Sequence, residues 1–303
     1  MVLSYWLAAC VSAPQTRSLL DDPPDIPAAV ELTEVPFFPQ QEYHCGPAAL
    51  AGIYNFRGLE VLPDEIARLV YVPELQGSLQ VEMVAATRQF GLLAVPLDGR
   101  LDSVLRELAA GNPVLVLQNL GLDSYPVWHY ETVIGYDLER GRMILRSGLD
   151  RRVTRRFSTF ETTWARAGHW ALAVIEPDTV PVSVRAEAYL GAVIDMELVG
   201  RPESARRGYQ SALRRWPGNL VALGGLGNTA YAMGDYAAAE AAFREALELA
   251  PGEAGMWNNL AYALAEQGQR EASLTAVRRA LELDPGNKAF RDSLVELENR
   301  DWD

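Results

Sequence analysis

The sequence is poor in the residues that build metal centres and disulfide scaffolds. Its 303 residues include only two cysteines, Cys10 and Cys45, and three histidines, His44, His129 and His169. Two thiols cannot form a disulfide framework or a four-thiolate zinc site, and three histidines leave little room for a histidine-rich centre. We therefore expect neither a metal nor any other cofactor.

Basic residues and long apolar runs are also scarce. The chain has 27 Lys+Arg, of which only Lys288 is a lysine, against 40 Asp+Glu, so its net charge is −13. An acidic surface repels phosphate backbones, so nucleic acid is not expected as a partner. No run approaches the roughly 18 apolar residues of a transmembrane helix. The hydrophobic share of 49% nevertheless suffices for a sizeable core, and the length suggests about two domains.

The first 29 residues are interpreted as a signal remnant and linker. The segment Leu7-Ala8-Ala9-Cys10 resembles the bacterial lipobox, in which the cysteine becomes the lipidated first residue of the mature protein. This resemblance implies lipidation at Cys10 and a periplasm-facing place in the bacterial cell envelope. The alternative is a short apolar segment with a chance cysteine. With a lipidated Cys10, the polar segment Ser12–Pro24 would be a tether, and the Pro- and Asp-rich stretch Ser18–Ala28 predicts a linker rather than core.

The last third of the chain repeats itself every 34 residues. Pro217, Pro251 and Pro285 are spaced by 34 and each is followed by glycine. Alanines, large apolar residues and glycines recur at fixed offsets before these prolines, namely Ala212, Ala246 and Ala280; Tyr209, Phe243 and Val277; and Gly200, Gly234 and Gly268. Small residues allow two helices to approach, glycine permits the turn between them, and proline stops the second helix.

This pattern resembles the tetratricopeptide repeat, a pair of antiparallel helices. We predict an all-α domain over residues 184–303, with repeats at 186–219, 220–253 and 254–287 and a polar capping helix at Asn287–Arg300. The resemblance implies a groove that binds a peptide or partner protein. The alternative is that the same apolar stripes serve only docking or stability.

Residues 30–180 show a different pattern, with helices first and strands afterwards. Such an order predicts an α+β domain with an antiparallel sheet. The predicted helices are Cys45–Phe56, Pro63–Val70, Val81–Phe90 and Asp102–Ala110, and the predicted strands are Val114–Leu117, His129–Tyr136, Met143–Ser147 and Trp170–Ile175. Seven arginines between Arg140 and Arg156 mark a basic hairpin, interpreted either as a solvated face or as a patch for acidic groups.

Cys45 opens the first of these helices in the segment Gln40-Gln41-Glu42-Tyr43-His44-Cys45-Gly46-Pro47. The positive end of a helix dipole stabilises a thiolate, so we expect the pKa of Cys45 to be lowered. Pro47 suits the first helical turn, where its missing N–H is no loss. The alternative is a buried and inert cysteine, but the Cys-Gly-Pro context with a later histidine before a strand favours a nucleophile.

Residues 33–176 resemble the bacteriocin-processing, double-glycine-leader cysteine peptidases, which have a papain-like fold. The resemblance implies that Cys45 is the nucleophile and that His129, in the strand His-Tyr-Glu-Thr-Val-Ile, is the base. It also implies that Gln40 donates to the oxyanion. Gln40 stands five residues before Cys45, where the family usually has six, so Gln41 is kept as an alternative.

The third member of the catalytic set is open. The family usually has an aspartate at the end of the strand that follows the histidine strand, and here Ser147 stands there. Asp150 is an equal candidate if the chain turns back opposite His129. Asp137 lies eight residues along the strand from His129, over about 25 Å in extended chain, too far to orient its ring. His169 is interpreted as a structural histidine and His44 as a surface residue.

The sequence thus favours a cell-envelope cysteine peptidase that acts on a peptide or protein substrate, with a helical-repeat module for substrate or partner. A second hypothesis is a peptidase-like binding or scaffold lipoprotein with weak or no activity, motivated by the missing aspartate. A third is thiol acyl transfer, because the same Cys–His pair can pass an acyl group to an amine.

Overall fold

The computed structural model describes residues 13–39 and 44–302, which form two compact units. The first unit contains most residues up to Ile175, and the second contains the residues from Arg185 onward. Residues 176–184 are divided between the two units. No helix among these residues is long and apolar enough to cross a lipid bilayer.

The first unit is α+β, as the sequence predicts. Its helices are α1 (Pro14–Asp21), α2 (Cys45–Phe56), α3 (Pro63–Val70), α4 (Gln80–Gln89), α5 (Leu101–Ala109) and α6 (Phe157–Ala165). Its strands are β1 (Ala29–Glu31), β2 (Tyr71–Val72), β3 (Gly77–Ser78), β4 (Leu93–Pro96), β5 (Val114–Asn119), β6 (Trp128–Asp137), β7 (Arg142–Ser147), β8 (Asp150–Arg156) and β9 (Ala171–Ile175). A short 3₁₀ turn, Pro73–Leu75, connects β2 to β3.

One sheet organises this unit. Its strand order is β4-β9-β5-β6-β7-β8, and β1 pairs with β6 beside the main path. The pairs β5–β6, β6–β7, β7–β8 and β5–β9 are antiparallel. Strand β6 is the hub, because β5, β7 and β1 all pair with it. A residue at the start of β6 is paired with β5, whereas the pairing of β6 with β7 and β1 lies further along the strand.

The two faces of the sheet carry different cores. Val133 and Leu145 pack with α5 and α6 on one face, in a core that includes the fully buried Trp164. Ile134 and Ile144, the alternate residues of β6 and β7, pack on Val35 on the other face. This alternation is the period of two that a strand buried on both faces requires.

Helix α2 is bound to the hub strand. Every residue from Gly46 to Tyr54 is buried, and Thr132 Oγ1 of β6 donates to the carbonyl of Ala49 at 3.2 Å. Gly52 permits a close backbone approach, since a Cβ there would lie 2.9 Å from the Pro36 carbonyl oxygen. The small residues of α2 therefore fix its position, and with it the position of Cys45.

The tether expected before residue 30 is wrong for Pro14–Asp21, which forms α1. Leu19 is 5% exposed and belongs to the core formed with α5 and α6. The Glu161 carboxylate of α6 accepts from the backbone N–H groups of Gln15 at 2.8 Å and Thr16 at 2.6 Å, which satisfies the free donors of the first turn. The signals of a linker in this segment were overridden by these tertiary contacts.

The second unit is a run of antiparallel helix pairs. Its helices are α7 (Ala186–Leu198), α8 (Pro202–Arg215), α9 (Leu220–Ala232), α10 (Tyr236–Leu249), α11 (Ala254–Glu266), α12 (Arg270–Leu283) and α13 (Lys288–Asn299). Tyr209, Phe243 and Val277, the recurring apolar residues, are all buried to within 1% exposure. Gly200 and Gly234 turn the chain with φ of 74° and 79°. The predicted solenoid architecture is confirmed.

Candidate functional site

Cys45 lies against the hub strand at the point where the β6–β7 ladder ends. The paired residues of β6 with β7 run from Thr132 to Asp137, so Tyr130 lies beyond the ladder. The backbone of Tyr130 lies close enough to the half-buried Cys45 thiol to lower its pKa. The fold thus brings the first residue of α2 beside the residue that follows His129 in the chain.

The thiol is more strongly desolvated than its helix position suggests. Burial raises the pKa of Cys45 above its ordinary value of 9.0, and the backbone N–H groups of Tyr130 and Gly46 only partly offset this. The negative charge of Glu131 adds to the increase in pKa. The lowered pKa expected from the helix dipole is therefore wrong, because removal of the thiolate from water outweighs the helix terminus.

His129 is held by a serine on the neighbouring strand. Its Nε2 lies 3.1 Å from Ser147 Oγ, and Ser147 Oγ donates to Glu131 Oε1 at 2.5 Å. A serine has a single O–H, and here it is used on the carboxylate. Ser147 must then accept from Nε2–H, and this leaves Nδ1 as the unprotonated ring nitrogen.

A buried ion pair supports this chain of hydrogen bonds. Glu131 is fully buried, and its carboxylate receives Arg155 Nη1 at 2.6 Å and Nη2 at 3.0 Å. Gln118 Oε1 accepts from the same Arg155 Nη1 at 2.7 Å and from Thr163 Oγ1 at 2.7 Å. The bidentate contact neutralises the charge and fixes the orientation of both carboxylate oxygens.

The surroundings also bias His129 toward its neutral form. Burial lowers the pKa of His129 from 6.5, the Glu131 carboxylate raises it, and the Arg155 guanidinium lowers it again. Because desolvation is the largest influence, the imidazole is neutral near pH 7. A neutral ring with a free Nδ1 can accept a proton.

The structure distinguishes the remaining sequence candidates. Asp150 begins β8 and is exposed, whereas Ser147 contacts the His129 ring, so the geometry favours Ser147 as the orienter. Asp137 ends β6 and accepts from the backbone of the following turn. His169 stacks edge-on against Trp164 with 4.9 Å between ring centroids, and His44 packs against Tyr71 at 5.3 Å.

Three further candidates lie outside the described residues. They are Gln40 and Gln41, considered for the oxyanion, and Cys10, considered for lipidation. Their roles stay predictions from the sequence.

Sequence reasoning missed the buried carboxylate. Glu131 is two residues after His129 in an extended strand, so both side chains lie on one face of the sheet. An acidic residue at this spacing within an otherwise apolar strand was the available signal. Its partner Arg155 belongs to the arginines predicted to form either a solvated face or a patch for acidic groups, and its side chain is only 17% exposed.

Comparison with known families finds a match for each part of the chain. Residues 32–172 match the model of the Peptidase_C39-like family, and residues 199–254 and 225–288 match the tetratricopeptide repeat. The chain therefore contains a peptidase C39-like domain followed by tetratricopeptide repeats, which confirms the family predicted from the motifs around Cys45 and His129. A comparison with curated proteins gives no match.

Several solved structures are similar to portions of this chain. A putative C39-like peptidase from Bacillus anthracis is 18% identical at a TM-score of 0.42, covering 48% of this chain and 97% of that one. An O-GlcNAc transferase mutant from Thermobaculum terrenum is 30% identical at a TM-score of 0.36, covering 37% of this chain. The match spans only 22% of that transferase. The first tetratricopeptide domain of Spaghetti, bound to an HSP90 peptide, is 18% identical at a TM-score of 0.36. That match covers 37% of this chain and 90% of that one.

Proposed function

We propose that the first unit is a cysteine peptidase in which Cys45 attacks a peptide carbonyl and His129 is the base. The observation that carries this proposal is the contact between His129 Nε2 and Ser147 Oγ. Ser147 Oγ lies 3.1 Å from Nε2, which leaves Nδ1 to take a proton, and the backbone of the next residue of the strand lies close enough to the Cys45 thiol to lower its pKa. Thiol hydrolases pair a nucleophile with a base that a third group orients, and we assign these three roles to Cys45, His129 and Ser147.

The proposed reaction follows from these protonation states. The thiol proton moves to His129 Nδ1 as sulfur bonds to the carbonyl carbon, and the Cys45 backbone N–H with Gln40 holds the oxyanion. The C–N bond then breaks, and the imidazolium gives its proton to the leaving amine. A water molecule, deprotonated by Nδ1, finally attacks the thioester and releases the acid and the thiol.

A digest of proteome-derived peptides tests the activity without knowledge of the substrate. We expect the wild-type chain to generate new peptide termini, detected by mass spectrometry, and Cys45→Ala and His129→Ala to lose about 1000-fold or more. Cys10→Ala, which removes the other thiol, is the matched control and should cleave normally. Cleavage that persists in Cys45→Ala would refute the proposal.

Two alternatives correspond to other outcomes of that experiment. Serine in the position where the family has aspartate favours a weak or inactive binding protein, and peptides retained uncut would support it. In the second unit, a groove of about 350 Å³ lined by Asn228, Tyr231 and Tyr262 could hold such an uncut peptide. If an amine is added to the same digest, acyl transfer would appear as products joined to that amine in place of free acids.

We further propose that Cys10 is lipidated and that the protein faces the bacterial periplasm. The support is the resemblance of Leu7–Cys10 to a lipobox. Metabolic labelling with an alkyne fatty acid should mark the wild-type precursor and not Cys10→Ser. Equal labelling of the two would exclude an anchor at Cys10.

A further inference from the structure

We propose that Glu131 is a positioning residue of the site, which acts on His129 through the hydroxyl of Ser147. This inference rests on the proposed peptidase function. It assigns to a Ser147–Glu131 pair the role that one directly bonded carboxylate would have. The chain of hydrogen bonds runs from His129 Nε2–H to Ser147 Oγ, and from Ser147 O–H to Glu131 Oε1.

The Glu131 carboxylate, at the end of this series of hydrogen bonds, decides which group donates and which accepts in each of them. Glu131 receives two guanidinium N–H groups from Arg155, so it is an acceptor and its proximal oxygen draws the Ser147 hydroxyl proton. Ser147 then has only lone pairs to offer His129. A serine without this carboxylate could rotate its hydroxyl and donate to the ring, which would select the opposite tautomer.

Ser147 is needed as a bridge, or relay, because the Glu131 carboxylate is too far from the His129 ring for a direct hydrogen bond. Glu131 Oε1 is 3.9 Å from His129 Nε2, beyond a direct hydrogen bond, and Ser147 Oγ lies 3.1 Å and 2.5 Å from the two. Glu131 and His129 share one strand and one face, while Ser147 comes from the adjacent strand. The serine therefore fills the gap that the strand geometry leaves.

The support for Glu131 comes from several elements. Arg155 belongs to β8, Gln118 to β5 and Thr163 to α6, and all belong to one hydrogen-bonded network. A buried carboxylate that lacked such partners would be costly, because charges lose hydration in the interior. The network fixes Glu131 in one position and thereby fixes the ring of His129.

The test measures steady-state kinetics of peptide cleavage by the full chain. We expect Glu131→Gln and Ser147→Ala each to lower kcat about 10- to 100-fold with little change in KM, since both residues act through the His129 ring in this proposal. The double variant should be no slower than Ser147→Ala, because the first change already breaks the relay. Because Ser147→Ala keeps the Glu131–Arg155 ion pair, a loss of kcat in this variant cannot be attributed to misfolding caused by breaking that pair.

Rescue and pH dependence separate positioning from simple destabilisation. Ser147→Asp added to Glu131→Gln places a carboxylate next to Nε2–H and should restore most of kcat. In Glu131→Gln the acid limb of kcat/KM should move to lower pH, since the charge that raises the pKa of His129 is gone. Glu31→Gln, which removes a partly exposed carboxylate paired with Arg152 at 2.8 Å, is the matched control and should change neither kcat nor the acid limb.

Nitrogen NMR of the His129 ring provides a readout that does not need activity. The wild-type ring should carry its proton on Nε2, and Ser147→Ala and Glu131→Gln should show a mixture of tautomers. Folded variants with the wild-type tautomer and kcat would overturn the relay while the peptidase proposal stands. A wild-type chain that shows the Nε2–H tautomer but cleaves no peptide would instead overturn the proposed function alone.

Discussion

Cys45 and His129 are both surrounded in a way that disfavours their charged forms. Burial raises the pKa of the thiol and lowers that of the imidazole. A standing thiolate–imidazolium pair is therefore not the resting state that these surroundings favour. The proton has to move as the substrate is attacked, which makes the position of His129 Nδ1 more important than the acidity of the thiol.

The lowered pKa of His129 predicts a dependence of stability on pH. The unfolded chain binds a proton at this histidine near pH 6.5, and the folded chain binds it only at lower pH. The contribution of the neutral His129 ring to the free energy of unfolding is present above pH 6.5. It is lost as the pH falls through the pKa of His129 in the folded chain. The cost is about 1.4 kcal/mol for each unit by which the pKa is lowered.

Urea unfolding of wild type and His129→Gln at pH 7.5 and pH 5 measures this contribution. The free energy of unfolding of the wild type should fall relative to the variant at the lower pH. A wild type that gains stability over the variant on acidification would show that Glu131 stabilises the imidazolium more than burial opposes it.

Among the elements, α9 shows how closely the repeat helices pack. A Cβ on Gly225 would lie 2.2 Å from the ring of Tyr209 in α8, and one on Gly227 would lie 2.4 Å from Phe243 in α10. These glycines let aromatic rings lie directly on the helix backbone. Gly191 of α7 is exposed, and nothing lies within 4 Å of a Cβ placed there.

This contrast predicts opposite effects of one substitution. Gly225→Ala should lower the free energy of unfolding by about 1–3 kcal/mol, because the ring of Tyr209 must move. Gly191→Ala, the matched control, should raise it by about 0.5–1 kcal/mol, because alanine favours the helix and meets no clash. Chemical unfolding followed by the helical circular dichroism signal measures both. A stabilised Gly225→Ala would contradict the packing described for α8 and α9.

Strand β8 shows why one element escaped prediction. Its sequence, Asp-Arg-Arg-Val-Thr-Arg-Arg, is too charged to resemble a strand, and its arginines predict only a basic hairpin that is either a solvated face or a patch for acidic groups. It forms at the sheet edge by pairing with β7, with Arg155 opposite Met143. The buried Arg146 similarly donates to the carbonyls of Thr33 and Val35. Their acceptors come from distant parts of the chain, so local sequence could not reveal them.

For the whole molecule, the sequence by itself determined the repeats, the class of the first unit and the position of Cys45 on a helix. These follow from local rules, since the contacts of a repeat lie mostly with its neighbours and α2 is marked by its own residues. Tertiary structure alone decided how His129 is oriented. Glu131, Ser147 and Arg155 come from three strands, and their contact depends on the register of the sheet. It also decided the protonation of Cys45, because burial depends on everything packed around the thiol and not on its place in the helix.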